Sequence, residues 1–202
     1  MANLFLSFLG TSDYIPANYH YNQKWKRNIR FVQEASLEFF CMDWKPKDRI
    51  VFFLTQEAKE KNWKDNGHKN WNTGEILERE GLKTRLKYLD IPISSKNIET
   101  KKIPIGKSIE QLYKIFEIIL NIIEPGDEIF FDITHAFRSL PLLANIILQY
   151  ASVVKEAKLK GLYYGAFEVI GTPYEAKKID LKDRNAPIFD LTSFYSLLDW
   201  AI

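Results

Sequence analysis

A single cysteine, Cys41, leaves no partner for an intrachain disulfide and no cysteine set for a zinc site, the usage expected of a chain kept in a reducing cytoplasm. Histidine is scarce too. His20, His68 and His135 are the three, and no two stand at the His-x-x-x-His spacing that would place metal ligands on one helix face, so no metal site and no cofactor is expected. Glycine is missing where nucleotide fingerprints need it. Neither Gly-x-Gly-x-x-Gly nor a phosphate loop ending in Gly-Lys-Ser/Thr occurs, which leaves a nicotinamide-dependent oxidoreductase with nothing beyond analogy of fold. No apolar run is long enough to span a bilayer, since Ile115 to Ile123 is interrupted by Glu117 and Asn121. The apolar N-terminus, Met1 to Leu9, lacks the basic start and small-residue cleavage site of a signal peptide. No membrane partner is expected. Nor is there a surplus of one charge: 28 Lys and Arg face 26 Asp and Glu, for a net +2. Direct duplex DNA binding, which calls for a basic face, is therefore not expected, and any nucleotide must be held locally.

What the chain does have is 202 residues that are 46% hydrophobic, enough for one sizeable core. No internal repeat, low-complexity segment or linker divides it, so residues 1–202 read as a single domain. Leu4 to Leu9, Arg49 to Leu54 and Glu128 to Asp132 are short apolar runs that end in polar turns, the form of buried parallel strands. Ile98 to Ile105 and Gly161 to Phe167 read as further strands, with Lys177 to Leu181 as a hairpin partner. Helical spacing of apolar residues marks Arg30 to Met42, Ile76 to Leu89, a helix capped by Ser108, Pro141 to Val154 and Leu191 to Trp200. Tyr19 to Trp25 reads as a polar, aromatic connection, and Asn62 to Gly74 as a loop or lid. Strands that alternate with helices predict an α/β, Rossmann-like, mainly parallel sheet with helices on both faces.

In such a sheet ligands bind beyond the carboxyl ends of the strands. Four polar turns follow the predicted strands there: Gly10-Thr11-Ser12, Thr55-Gln56-Glu57, Thr134-His135-Ala136-Phe137-Arg138-Ser139, and Gly165-Ala166-Phe167-Glu168. Hydroxyls, backbone amides at a helix start and one arginine make a cradle suited to phosphates. Asp132 can accept hydrogen bonds from the turn it begins, His135 can bond a ribose or phosphate, and Arg138 can pair with phosphate bidentately. Asp132 and Ser139 serve equally well as turn and cap residues. Gln33 either touches ligand or satisfies a buried backbone group. His20 and His68 read as exposed loop histidines, and Trp63 and Trp71 either stack a base from the lid or belong to a core.

The segment Asp132-Ile133-Thr134-His135-Ala136-Phe137-Arg138-Ser139 resembles the Asp-x-Thr-His-Gly motif of CRISPR-associated proteins in the CARF sensor superfamily. Leu9 to Tyr14, Arg30 to Ala35, Leu54 to Ala58 with Asn62-Trp63, Tyr164 to Glu168, and Asp190-Leu191-Thr192 with Asp199-Trp200-Ala201 look like the same family. Ala136 stands where the motif usually has glycine, so the turn there lacks a residue free to take positive φ. The resemblance implies a homodimer binding one ring of cyclic oligoadenylate, the second messenger of type III CRISPR defence, with tetra-adenylate favoured over hexa-adenylate. Carried over by position, Gly10, Thr11, Ser12, Thr134, His135, Phe137 and Arg138 become ligand contacts. Gln33, Thr55, Gln56, Ala136, Ser139, Gly165 and Phe167 complete the candidate set at the same edge.

Relatives carry an effector after the sensor, commonly a HEPN ribonuclease with an Arg-x(4–6)-His motif. No histidine here has an arginine at that spacing before it, and the chain stops just past the Asp-Trp-Ala helix, so a sensor without its effector is expected. Two activities compete. One is binding that shifts the state of an attached effector. The other is a metal-independent ring nuclease in which Thr11, Ser12, His135 and Arg138 orient the ligand's own 2′-OH toward its phosphate.

Overall fold

A computed structural model describes residues 1–70, 72–135 and 140–200. Trp71 and the motif residues Ala136, Phe137, Arg138 and Ser139 lie outside the described residues. The strands are β1 (Asn3–Leu9), β2 (Ala17–Tyr21), β3 (Lys24–Ile29), β4 (Arg49–Leu54), β5 (Ile98–Lys102), β6 (Glu128–Asp132), β7 (Lys158–Gly165) and β8 (Asn185–Asp190). They form one sheet in the order β3-β2-β8-β7-β6-β1-β4-β5. The five strands from β7 to β5 in that order are parallel, and β8 runs antiparallel to β7. The chain thus has the α/β, Rossmann-like sheet that its alternating pattern predicts.

The helices are α1 (Val32–Phe40), α2 (Gln56–Ala58), α3 (Leu82–Arg85), α4 (Ile109–Ile122), α5 (Leu140–Lys155), α6 (Pro173–Ala176) and α7 (Thr192–Trp200). Side chains alternate across a strand, and β1 uses both faces. Leu4, Leu6 and Phe8 pack with Ile115 and Ile119 of α4 and Ile147 of α5. Phe5 and Leu9 pack on the other side with Leu37 of α1 and Leu82 of α3. Each such fully buried side chain contributes about 1.5–3 kcal/mol, which is why the uninterrupted apolar runs became the central strands. The exception on β1 is Ser7, fully buried and facing the α1 side. Among the described residues no helix is long and apolar enough to cross a membrane.

The structure corrects several local expectations. Tyr19 to Trp25 is no connection: it belongs to the β2–β3 hairpin, where His20 packs against Trp25 with ring centroids 4.6 Å apart. The antiparallel partner of β7 is β8, and residues 177–181 form turns instead. Only residues 82–88 of the expected 76–89 helix are helical. Gly81 starts that helix in extended conformation, its N–H donating to Asp65 Oδ1 at 2.7 Å, while Ile76 bridges to Lys69. Of the two readings of Trp63, the core is the one found: it is buried against Phe52 at 5.5 Å between ring centroids.

Candidate functional site

The site is built on a register. β1 and β6 pair so that Ser7 stands opposite Asp132, and both are fully buried under α1. Ser7 Oγ donates to Asp132 Oδ2 at 3.1 Å and accepts from Gln33 Nε2 at 3.2 Å. Gln33 Nε2 also donates to the Phe8 carbonyl at 2.9 Å. Asp132 Oδ1 accepts from the Thr134 backbone N–H at 3.0 Å and from the Thr134 hydroxyl. Thr134 Oγ1 in turn accepts from the Gly165 N–H at 2.8 Å, which ties the β6 turn to the end of β7. Burial pushes the Asp132 carboxyl up from the usual range, while the donors from Thr134 and Ser7 pull it back. A buried carboxylate survives here because each oxygen has donors.

The first turn is held from the other side. Asn62, fully buried, donates through Nδ2 to the carbonyls of both Gly10 and Ser12 at 2.9 Å. Its Oδ1 faces His68 Nε2 at 2.9 Å. Because Asn62 Nδ2 must face the two carbonyls, Oδ1 is the acceptor and His68 Nε2 carries the proton. His68 is therefore a positioned, half-buried donor, not the exposed loop histidine of the sequence reading. Its burial lowers its proton affinity below the ordinary imidazole value.

Beyond these supports the ring of Tyr14 packs on His135 at 4.3 Å between centroids. Gly10 permits this: a Cβ there would lie 2.4 Å from the Tyr14 hydroxyl oxygen. Gly165 likewise admits α1, since its Cβ would lie 2.4 Å from Val32 Cγ2. His135 Nε2 is buried and has no hydrogen-bond partner among the described residues, and burial pushes the ring's pKa down to about 4. The imidazole is neutral at physiological pH.

These elements enclose a cavity of about 480 Å³ at the carboxyl edge of β1, β6 and β7. Among the described residues its walls are aromatic, from Tyr14, Tyr19, His135, Tyr164 and Phe167, with Arg30 as the cation and Glu168 among the carboxylates. The Tyr164 hydroxyl donates to Glu168 Oε1 at 2.8 Å, and burial, with Glu168 second, raises the phenol to about 12. Such walls suit a planar base and its ribose better than a phosphate, because carboxylates repel anions while accepting from amino and hydroxyl groups.

Of the residues singled out in the sequence, Ser12, Thr134, His135, Gly165 and Phe167 line this cavity. Gly10 and Thr11 belong to the adjoining first turn but not to the wall. Gln33 is buried beneath the turn, bonded to Ser7 and Phe8, so it supports the site from below. Thr55 is buried and caps α2, accepting from the Ala58 N–H at 3.1 Å, and Gln56 is exposed with its amide on Glu60. Neither lines the cavity. Ala136, Phe137, Arg138 and Ser139 lie outside the described residues. Sequence reasoning missed Tyr14 and Tyr164, although each directly adjoins a turn already singled out. It also missed Arg30, although the family-like stretch Arg30 to Ala35 begins with it, and the 171–175 segment, for which no local signal exists.

Comparison with known proteins bears on most of the chain. Residues 4–168 match the family model described as the CARF domain of the CRISPR system endoribonuclease Csx1. An 82-residue stretch is 39% identical to the CRISPR-associated protein MJ1674 of Methanocaldococcus jannaschii, covering 41% of this chain and 12% of that protein. The chain thus matches well under two thirds of that relative's length. With a family model matched over most of its residues, and the sheet and edge cavity described above, the chain belongs to the Csx1 CARF-domain family of CRISPR-associated proteins.

Proposed function

We propose that this chain is a cyclic oligoadenylate-binding sensor of type III CRISPR defence, holding one ring between two copies and passing the bound state to an attached effector. The observation that carries this reading is the edge cavity, aromatic-walled, with the unpartnered His135 Nε2 inside it. At about 480 Å³ it is sized for one nucleoside portion of a ligand rather than a whole ring of four or six. A ring shared across a two-fold axis would place bases in such cavities of both protomers and its phosphates over the first and motif turns. Tetra-adenylate is the favoured ring and hexa-adenylate the next.

A second copy has a face suited to it. Helices α4 and α5 begin at the same edge as the cavity and expose Ile109, Tyr113, Leu142, Ile146 and Tyr150 around an apolar groove of about 470 Å³. Apolar surface of this kind is characteristic of protein contacts, and a two-fold contact there would bring the two sites side by side. In the proposed setting the dimer works in the cytoplasm without metal or cofactor.

We take binding as the leading reading and ring cleavage as the alternative. With burial holding the His135 pKa low, cleavage would rely on orienting the ligand's own 2′-OH toward its phosphate rather than on His135 as a general base. Calorimetry with rings of three to six adenylates, paired with chromatography of the ligand after incubation, tests the reading. Tight binding of one ring size with the ligand recovered intact is expected. Absence of binding to every ring overturns the sensor reading, and linear products would replace it with ring cleavage.

A further inference from the structure

We propose that the cleft between the 79–85 segment and the 177–184 segment, next to the nucleoside cavity but lined by different groups, is a second site that takes a phosphate group. The cleft encloses about 380 Å³, and Arg30, Arg79, Arg85, Lys177 and Arg184 all line it. Its own carboxylates do not match them. Asp13 lies near Arg30, Arg79 and Lys177 together, with Arg30 Nη2 and Lys177 Nζ each 3.9 Å from it. Arg85 is shared between Glu34 at 2.7 Å and Glu80 at 3.6 Å. Five cations thus face three carboxylates.

Arg184 has no ion-pair partner among the described residues. Its Nε donates to the Ile179 carbonyl at 2.8 Å and its Nη1 to the Pro16 carbonyl at 3.3 Å, which hold the guanidinium in place without neutralising it. Arg30 supplies the second observation. It is 7% exposed, its Nη1 donates to the Glu80 carbonyl at 2.6 Å, and its Nε is buried with no partner among the described residues. A buried N–H without an acceptor is unfavourable, and an anion in the cleft would relieve it. Burial, followed by the neighbouring Arg79 charge, lowers the proton affinity of Arg30, as surplus positive charge demands.

Guanidinium groups fixed by backbone carbonyls recognise tetrahedral oxyanions through paired N–H donors. A phosphate fits this set; a neutral base does not. Arg30, Tyr14 and Ile15 line both cavities, so a nucleotide could place its base in one and its phosphate in the other. Asp13 is the internal anion that an incoming phosphate would compete with for Arg79 and Lys177.

The test uses the full chain, ¹⁵N-labelled, titrated at low ionic strength with inorganic phosphate, adenosine 5′-monophosphate and adenosine, following the arginine Nε–Hε signals. Phosphate is expected to shift the Arg30 signal, and Arg184→Gln or Arg79→Gln should weaken its binding roughly tenfold, the loss of one charge-assisted hydrogen bond. Tighter binding of the monophosphate than of inorganic phosphate would assign the site to a nucleotide, and equal affinity to free phosphate. No shift of Arg30 with either anion, or undiminished affinity in the variant that folds, overturns the proposal. Since no cyclic ring is used, this outcome is independent of whether the chain binds cyclic oligoadenylate.

Discussion

Ser7 and Asp132, 125 residues apart in the chain, meet side by side on β1 and β6, with the Ser7 hydroxyl donating to Asp132 Oδ2 at 3.1 Å among the mostly apolar residues of those central strands. Through Gln33 on one side and Thr134 and Gly165 on the other, that pair connects α1, the motif turn and the end of β7. The motif turn is thereby anchored to three elements before any ligand arrives.

Asp132→Ala should cost about 3 kcal/mol in urea denaturation, because it strips the Thr134 backbone N–H and hydroxyl of their acceptor and leaves Ser7 only the Phe8 carbonyl. Asp132→Asn should cost only about 1 kcal/mol. Its amide oxygen can still accept from Thr134, and Ser7 can accept from the new amide while donating to the Phe8 carbonyl 3.3 Å away. Equal losses in the two variants would show that the network is not organised as described.

Asn62→Ala should loosen the first turn by removing both hydrogen bonds to the Gly10 and Ser12 carbonyls, at a cost of about 1–3 kcal/mol. Asn62→Asp should be worse, since a carboxylate would then face two carbonyl oxygens without a donor. Thermal melts of the two variants rank them, and a melt of Asn62→Asp above that of Asn62→Ala would contradict the assigned amide orientation.

Gly165→Ala should destabilise the chain by about 1–3 kcal/mol through the clash of its Cβ with Val32 Cγ2. Trimming the partner with Val32→Ala should restore part of that loss. A double-mutant cycle measures the coupling, and strictly additive losses would place the strain elsewhere.

His135 sets an acid limb. Its pKa falls from 6.5 to about 4 on folding, so between those values the unfolded chain binds more protons and stability declines as pH falls. Below about pH 4 this contribution flattens. Asp132 works in the opposite sense, because burial raises its folded-state pKa and penalises ionisation. The difference between the stability profiles of the natural chain and His135→Gln isolates the histidine: the variant should lose less stability between pH 6.5 and 4. Parallel profiles would mean that His135 is not buried in its neutral form.

The central strands were legible because a parallel strand covered on both faces must be apolar at every position, as in Leu4 to Leu9 and Arg49 to Leu54. Outer strands escaped for the converse reason. β3 is mostly exposed and rich in Lys and Arg, and β8 contains Pro187, so neither carries an uninterrupted apolar run. The short helix at 82–85 was overextended because a helical spacing of apolar residues continues upstream through a segment whose backbone is held by Asp65 and Asn66 instead.

The central parallel strands and the turns Gly10-Thr11-Ser12, Thr134-His135 and Gly165-Ala166-Phe167 were legible in the chain, because apolar runs, strand ends and polar turns are local properties. Which of those residues face the cavity was settled by packing between distant segments. Gln33 was drawn beneath the turn and Thr55 onto a helix cap, while Tyr14, Tyr164 and Arg30 became walls. The reason is that a side chain's partner is chosen by register and packing between distant segments. Asn62 reaching Gly10 and Ser7 reaching Asp132 are contacts that no spacing along the chain encodes.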